Sequence, residues 1–252
     1  LFQKIKGNLK YYNFIEIFHV TDSDFNNKLE KGIEIKESFD KAKIKSTIVP
    51  HSPYSVLPEM MRKIGFLAEN NRNILSIHMQ ENLSENQLFA QNKGAIFDWL
   101  NKINASSDIW KNRFHSLDVL KELGNHNMLL VHNTYTKKQD ITNNFYCTCP
   151  KSNLHIENAL PNYSIFNEEK LCVGTDSLAS NNNLSIIEEL EIIQANSKFD
   201  LNTLLKIASK NGAEALGFKD LGTFKKGKKP GINLIETKNN RLQKNTKIKV
   251  LV

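Results

Sequence analysis

No apolar run in these 252 residues approaches the roughly 20 residues that a membrane-crossing helix needs. The N-terminal stretch LFQKIKGNLK lacks the apolar core and small-residue cleavage site of a secretory signal. Cysteine is scarce. Cys147, Cys149 and Cys172 are too few, and odd in number, for a disulfide framework, so a reducing, cytoplasmic setting is expected. Cys147 and Cys149 are one residue apart, not the two of a zinc or redox pair, and buried structural thiols on one strand face are the expectation. There is no internal repeat. None of the seven histidines falls in a His-x-His pair.

Charge is not lacking, but it is diffuse. The net charge of +7 comes from 34 basic against 27 acidic residues. The excess gathers in FKKGKKPG (224–231) and RLQKNTKIKVLV (241–252). No recognition helix, RNA-binding aromatic signature or zinc finger accompanies it, so a solvated surface is expected, with no nucleic-acid and no membrane partner. The chain is rich in Asn, as in the run Asn181 to Asn183, which reads as compositional bias.

Six short apolar runs punctuate the chain: NFIEIFHV from Asn13, KSTIVPHSP from Lys45, ILSIHMQE from Ile74, MLLVHNTY from Met128, NFYCTCP from Asn144 and KLCVGTDS from Lys170. Helical patterns lie between them: SVLPEMMRKIGFLAENN (55–71), AIFDWLNKI (95–103), SLDVLKELG (116–124), LSIIEELEIIQANS (184–197) and LNTLLKIASKNGAEALG (201–217). Alternation of this kind predicts an α/β fold with a parallel sheet. The tail from Asp220, with INLIE and KIKVLV, reads as a separate small β element.

In parallel α/β folds, chemistry collects at the carboxyl ends of the strands. His51, His78, His132 and Asp176 each close a different strand, and Glu81 lies three residues beyond His78. Imidazole and carboxylate are the ligand types of catalytic zinc and related divalent ions, and a nearby carboxylate can move protons. Singly, each has a plainer reading: a structural histidine, or in Asp176 a cap on the helix beginning near Leu184. His19, His115 and His126 fit the plainer reading.

The ordered set HSPYSV, SIHMQEN, LLVHNTY, CPKSNLHI and VGTDSLASNNNLSIIEEL resembles the amidohydrolase superfamily. It is most similar to the branch of cytosine and guanine deaminases, adenosylhomocysteine deaminases and triazine chlorohydrolases. The tail NGAEALGFKDLGTFKKGKKPGINLIE matches that branch as well. The resemblance implies a partial TIM-like (β/α) barrel, strands three to eight, over residues 1–218, and part of a small β-sandwich over 219–252. It implies one divalent metal, Zn²⁺ or Fe²⁺, held by His78 and Asp176. Glu81 is implied as the acid/base that gives a proton to a substrate nitrogen. His132 would orient the attacking water, and Asp176 would take its proton. His51 and Asn153 would contact the substrate.

The implied reaction is hydrolysis of a non-peptide carbon–nitrogen bond, above all deamination of a purine- or pyrimidine-like small molecule. A chlorohydrolase, an amide hydrolase and a catalytically degenerate barrel acting as a binding module are the alternatives. A homodimer is expected by analogy. The family's first barrel strand ends in His-x-His, which is not found here, and the chain opens on Leu1. The expectation is therefore an N-terminally truncated segment whose activity requires that pair, and which is poorly soluble by itself because open strand edges aggregate. The segment between Glu81 and Met128 is expected to form a lid or pocket wall. Trp99 and Trp110 within it could stack on a flat ring or pack a helix.

Overall fold

The computed structural model describes residues 2–6, 9–21, 24–71, 73–105, 113–244 and 246–251. Trp110 lies outside them. In chain order the elements are α1 (Phe2–Lys6), β1 (Tyr12–Ile17), α2 (Phe25–Lys41), β2 (Lys45–Pro50), α3 (Pro58–Asn71), β3 (Leu75–Met79), α4 (Leu83–Gln91) and α5 (Ala95–Lys102). They continue with β4 (Met128–His132), β5 (Phe145–Thr148), α6 (Pro150–Glu157), β6 (Leu171–Val173), α7 (Ile186–Asn196), α8 (Leu201–Ala208), α9 (Lys210–Ala215), β7 (Asn233–Ile235) and β8 (Ile248–Val250). The chain divides into two compact units, Leu1–Met128 and Leu129–Val252.

In the first unit β1 and β2 run parallel, from Tyr12 opposite Lys45 to Ile17 opposite Pro50. Helix α2 makes the crossover, as parallel strands require. Gly32 lets that helix lie close to the sheet, because a Cβ there would stand 3.0 Å from Ile17 Cδ1 and 3.6 Å from Ile48 Cδ1. Every β2 residue after Lys45 is buried, as expected of a parallel strand covered on both faces. Beneath α3 the fit is tighter. A Cβ on Gly65 would meet the Leu123 carbonyl oxygen at 2.2 Å, so only glycine admits this approach. Met60, Met61, Ile64, Leu75, Ile77, Met79 and Leu88 are essentially fully buried, and each such side chain is worth about 1.5–3 kcal/mol.

In the second unit β4, β5 and β6 are parallel neighbours, with Leu129 opposite Phe145 and Tyr146 opposite Leu171. Pro150 opens α6 at its first turn, where a missing N–H costs nothing. Ser185 caps α7 by accepting the Glu188 N–H, and Asp200 caps α8 by accepting that of Thr203 at 2.8 Å. The tail is sewn to α7 by Gln194, whose amide donates to the Leu242 carbonyl at 3.1 Å and accepts the Leu242 N–H at 2.9 Å.

All six expected strands are present, β1 with β2 and β4 with β5 and β6 in parallel, and so are both tail strands. Among the described residues no closed barrel is seen. Other expectations need refinement. The tail strands β7 and β8 form a two-stranded antiparallel ribbon with mostly exposed residues, which does not by itself make a sandwich. Residues 116–123 form a 3₁₀ helix and not an α-helix. The stretch 201–217 breaks at Ser209 into α8 and α9.

Candidate active site

In the first unit, β2 and β3 deliver His51 and His78 side by side, with ring centroids 4.8 Å apart. The His78 N–H donates to the His51 carbonyl at 3.0 Å, and His78 Nδ1 lies 2.8 Å from the same oxygen. A carbonyl only accepts, so Nδ1 carries a proton, and in the tautomer this selects for the neutral ring Nε2 is the basic nitrogen. This second bond orients the ring in the way metal-ligating histidines usually require. Nε2 faces Glu16 Oε1 at 3.8 Å. His51 Nδ1 is 2.9 Å from the Ser55 hydroxyl, itself held by Ser52.

Glu81 follows a chain reversal. Gln80 is fully buried and left-handed, with φ of 53°. Its N–H donates to Glu85 Oε1 at 2.9 Å, and its side-chain amide donates to Asn86 Oδ1 and Ser116 Oγ, both at 3.1 Å. The Tyr54 hydroxyl stands near both glutamates. Burial first, then their charges, push it above the ordinary phenol range. Trp99 packs edge-on against Phe18 at 5.9 Å, and Phe18 packs edge-on against His51 at 5.7 Å.

In the second unit the strand ends turn in the same left-handed way. His132, Asn133 and Asp176 have φ of 74°, 59° and 57°. Non-glycine residues held there store strain, which over-determined functional sites tolerate. His132 is buried and its Nδ1 lies 2.9 Å from Asn153 Oδ1, while Asn153 Nδ2 donates to the His132 carbonyl at 3.3 Å. That second bond settles the amide's orientation. Oδ1 therefore accepts from His132 Nδ1–H, and Nε2 again holds the lone pair. Burial pushes His132 below the usual imidazole range, against the opposing pull of Asn153 and Asp176, so it is neutral at pH 7.

Asp176 does not cap α7; Ser185 does. Asp176 Oδ2 accepts from Ser152 Oγ at 2.7 Å and from Ser180 Oγ. Burial raises its proton affinity, but the two hydroxyls and the main chain outweigh that and hold the carboxyl below its usual range. Behind it lies Glu189, wholly buried, accepting the Lys151 N–H at 2.8 Å and the Asn181 amide at 2.7 Å. Asn181 also donates to the Thr175 carbonyl at 2.7 Å. Asn183 donates to both oxygens of Glu188 at 2.8 Å. The asparagine run is therefore not mere bias: it ties the loop carrying Asp176 to α6 and α7.

The sequence-predicted residues thus fall into two groups, His51, His78 and Glu81 in one unit and His132, Asn153 and Asp176 in the other. Sequence reasoning missed Gln80, Glu85, Ser180, Asn181 and Glu189. The three cysteines are unpaired thiols, with Cys149 and Cys172 buried and pushed up in proton affinity, as structural thiols should be. His19 is a core histidine whose main chain pairs with Ser55 and Leu57.

Does this donor set fit a divalent metal? His78, with its proton fixed on Nδ1, and Asp176, ionised and with hydroxyls converging on Oδ2, are both in ligating form. Among the described residues no group of three or more His, Cys, Asp or Glu is placed to hold a metal ion. Each is in the form that a metal ligand takes, and each stands in its own unit.

Parallel strands ending in oriented imidazoles and carboxylates define the class, an α/β protein with its polar chemistry on the strand ends. The particular lineage follows from comparison. The chain belongs to the amidohydrolase family, whose profile ("Amidohydrolase family") matches residues 12–252. It is 30% identical over 199 residues to an adenosine deaminase of Helicobacter pylori, covering 73% of this chain and 48% of that one. It is 26% identical over 249 residues to a 5′-deoxyadenosine deaminase of Methanococcus vannielii, covering 90% and 54%. Its fold superposes on the crystal structure of H. pylori aminofutalosine deaminase with a TM-score of 0.76 and 25% identity, covering 94% of this chain and 63% of that one. The chain spans about half the length of the curated relatives it matches.

Proposed function

We propose that this chain carries the proton-transfer half of a metal-dependent deaminase acting on adenosine-like purines. The observation that carries the reading is the oriented pair of imidazoles: His78 and His132 each have Nδ1 committed to a fixed acceptor, which sets the ring and its tautomer. Relatives named as deaminases of adenosine and 5′-deoxyadenosine supply the substrate class.

His78 and Asp176 would hold the metal, Zn²⁺ or Fe²⁺, with a His-x-His pair that none of these 252 residues provides. Bound there, a divalent cation would acidify a water molecule. Asp176, kept ionised by Ser152 and Ser180, accepts the water proton. His132 Nε2 accepts a hydrogen bond from the water and fixes its direction. Glu81 gives a proton to the ring nitrogen beside the reacting carbon. Water oxygen is added to that carbon and the amine leaves as ammonia, so adenosine and water yield inosine and ammonia. His51 and Asn153 line the substrate side. The barrel part is assigned to residues 1–218 and the sandwich part to 219–252. No helix among the described residues is long and apolar enough to cross a membrane. A cytoplasmic homodimer is proposed, the first on cysteine usage and the second on family analogy.

The test uses the product of the complete reading frame that encodes these residues, loaded with zinc. Ammonia release from adenosine, 5′-deoxyadenosine or 5′-methylthioadenosine, lost in Glu81→Gln, supports the reading. A protein that binds no zinc and releases no ammonia from any of the three sinks it.

A further inference from the structure

We propose that Glu85 is a positioning residue for Glu81, acting through the main chain of Gln80; the proposal rests on the reading of Glu81 as the proton carrier. Glu85 sits in the first turn of α4, where a glutamate ordinarily lies at the surface and reaches back to the cap. Here the cap position belongs to Asn82, whose side chain accepts the Glu85 N–H at 3.1 Å. The Glu85 side chain turns inward and is wholly buried.

Burying a carboxyl without a countercharge is unfavourable, at least as much as burying an unpaired polar group. The groups acting on Glu85 are the hydrogen-bond donors Ser116, Gln80 N–H and Glu81 N–H, which favour its ionised form, and the Glu81 charge, which opposes it. Tyr54 faces both glutamates, and His115 stands 3.3 Å from the Gln80 amide. Burial, with the Glu81 charge adding to it, pushes Glu85 up to about 7. One oxygen, Oε2, has no hydrogen-bond partner. A group kept at such cost needs a compensating role.

That role is Oε1, which accepts the Gln80 N–H at 2.9 Å. Gln80 is in the left-handed region, a strained conformation for a non-glycine residue. Its side chain is pinned separately to Asn86 and Ser116. The N–H bond to Glu85 fixes the main chain at the one residue between strand β3 and Glu81. A carboxylate displaced by 1 Å from its proton acceptor can lose about a hundredfold in rate.

The discriminating variants are Glu85→Asp, one methylene too short to reach Gln80, and Glu85→Gln, which keeps both length and an acceptor oxygen. Both are made in the complete zinc-loaded protein. Two readouts are taken: hydrogen exchange of the peptide spanning residues 77–82, and kcat against KM for nucleoside deamination. Glu85→Asp should raise Gln80 amide exchange at least tenfold and lower kcat at least tenfold, with KM within about threefold. Glu85→Gln should keep the protection and restore kcat to within about threefold of the parent. If Glu85→Asp exchanges and turns over like the parent, the proposal is overturned. If Glu85→Gln fails as badly as Glu85→Asp in both readouts, reach is not what matters and the proposal is also overturned. Failure of the underlying reading looks different: Glu81→Gln stays fully active, or the parent releases no ammonia, whatever the exchange of Gln80 shows.

Discussion

His132 donates from Nδ1 to Asn153 Oδ1 at 2.9 Å, and Asn153 returns a bond from Nδ2 to the His132 carbonyl at 3.3 Å. The pair locks one tautomer without a charge. An acidic partner would stabilise the imidazolium instead. Asn153→Asp is therefore expected to raise the His132 proton affinity and protonate Nε2 near neutral pH. Activity should fall at least tenfold at pH 7 and recover in part at higher pH, where the ring loses its proton. Histidine titration by NMR checks the cause; an unmoved His132 titration with lost activity would contradict it.

His132 also couples stability to pH. Its folded proton affinity lies below the ordinary value of 6.5, with burial as the main cause. The unfolded ring binds a proton as pH falls through 6.5, while the folded ring does not. Stability tied to this residue is thus complete above 6.5 and is lost as pH falls through it. Melting temperature measured from pH 8 to pH 5 should fall less steeply in His132→Asn than in the parent.

Glu85 slopes the other way. Folded, it holds its proton up to about 7; unfolded, it ionises from its ordinary value of 4.5. Its contribution is fully present below 4.5 and is lost as pH rises towards 7. The difference corresponds to on the order of 3 kcal/mol. Glu85→Gln should remove the slope, so its advantage in melting temperature over the parent should grow between pH 4.5 and 7. A constant difference across that range would show that the carboxyl is not buried as described.

Much of this was legible in the sequence, and the exceptions share a cause. The six strands announce themselves as short apolar, β-branched runs, continuous in β2, β3 and β4 where burial reaches almost every residue and alternating in β1 and β5, and their polar closing residues mark the site. Helix α2 was missed because its 17 residues, FNNKLEKGIEIKESFDK, are dominated by a solvated charged face, with Leu29 and Gly32 its buried positions. Helix α4 was missed because a buried glutamate, Glu85, stands where an apolar residue would signal the core. Glu85 and Glu189 look like surface charge in one dimension. Their burial is decided by the main-chain N–H groups of Gln80 and Lys151, which no periodicity reveals.

Glu189 yields the remaining prediction. It gathers three segments: the α6 N-terminus through Lys151 N–H, the loop after β6 through Asn181, and α7, on which it stands. That same α6 turn carries Ser152, which bonds Asp176, and Asn153, which bonds His132. Removing the carboxyl leaves the Lys151 N–H and one hydrogen of the buried Asn181 amide unpaired, the other hydrogen staying on the Thr175 carbonyl, and each lost partner is worth about 1–3 kcal/mol. Glu189→Ala is therefore expected to cost about 2–4 kcal/mol in denaturant unfolding. Glu189→Gln offers one acceptor oxygen where two are used, and one of its NH₂ donors would face an existing donor. It should recover less than half of that loss. A Gln variant as stable as the parent would mean that the Lys151 and Asn181 bonds do not both converge on this side chain. The loss should also reach the site: with Ser152 no longer held, Asp176 loses a hydroxyl donor and its proton affinity rises. In the active protein the acid limb of the rate profile should then move to higher pH, as it should in Ser152→Ala, where the clamp itself is untouched.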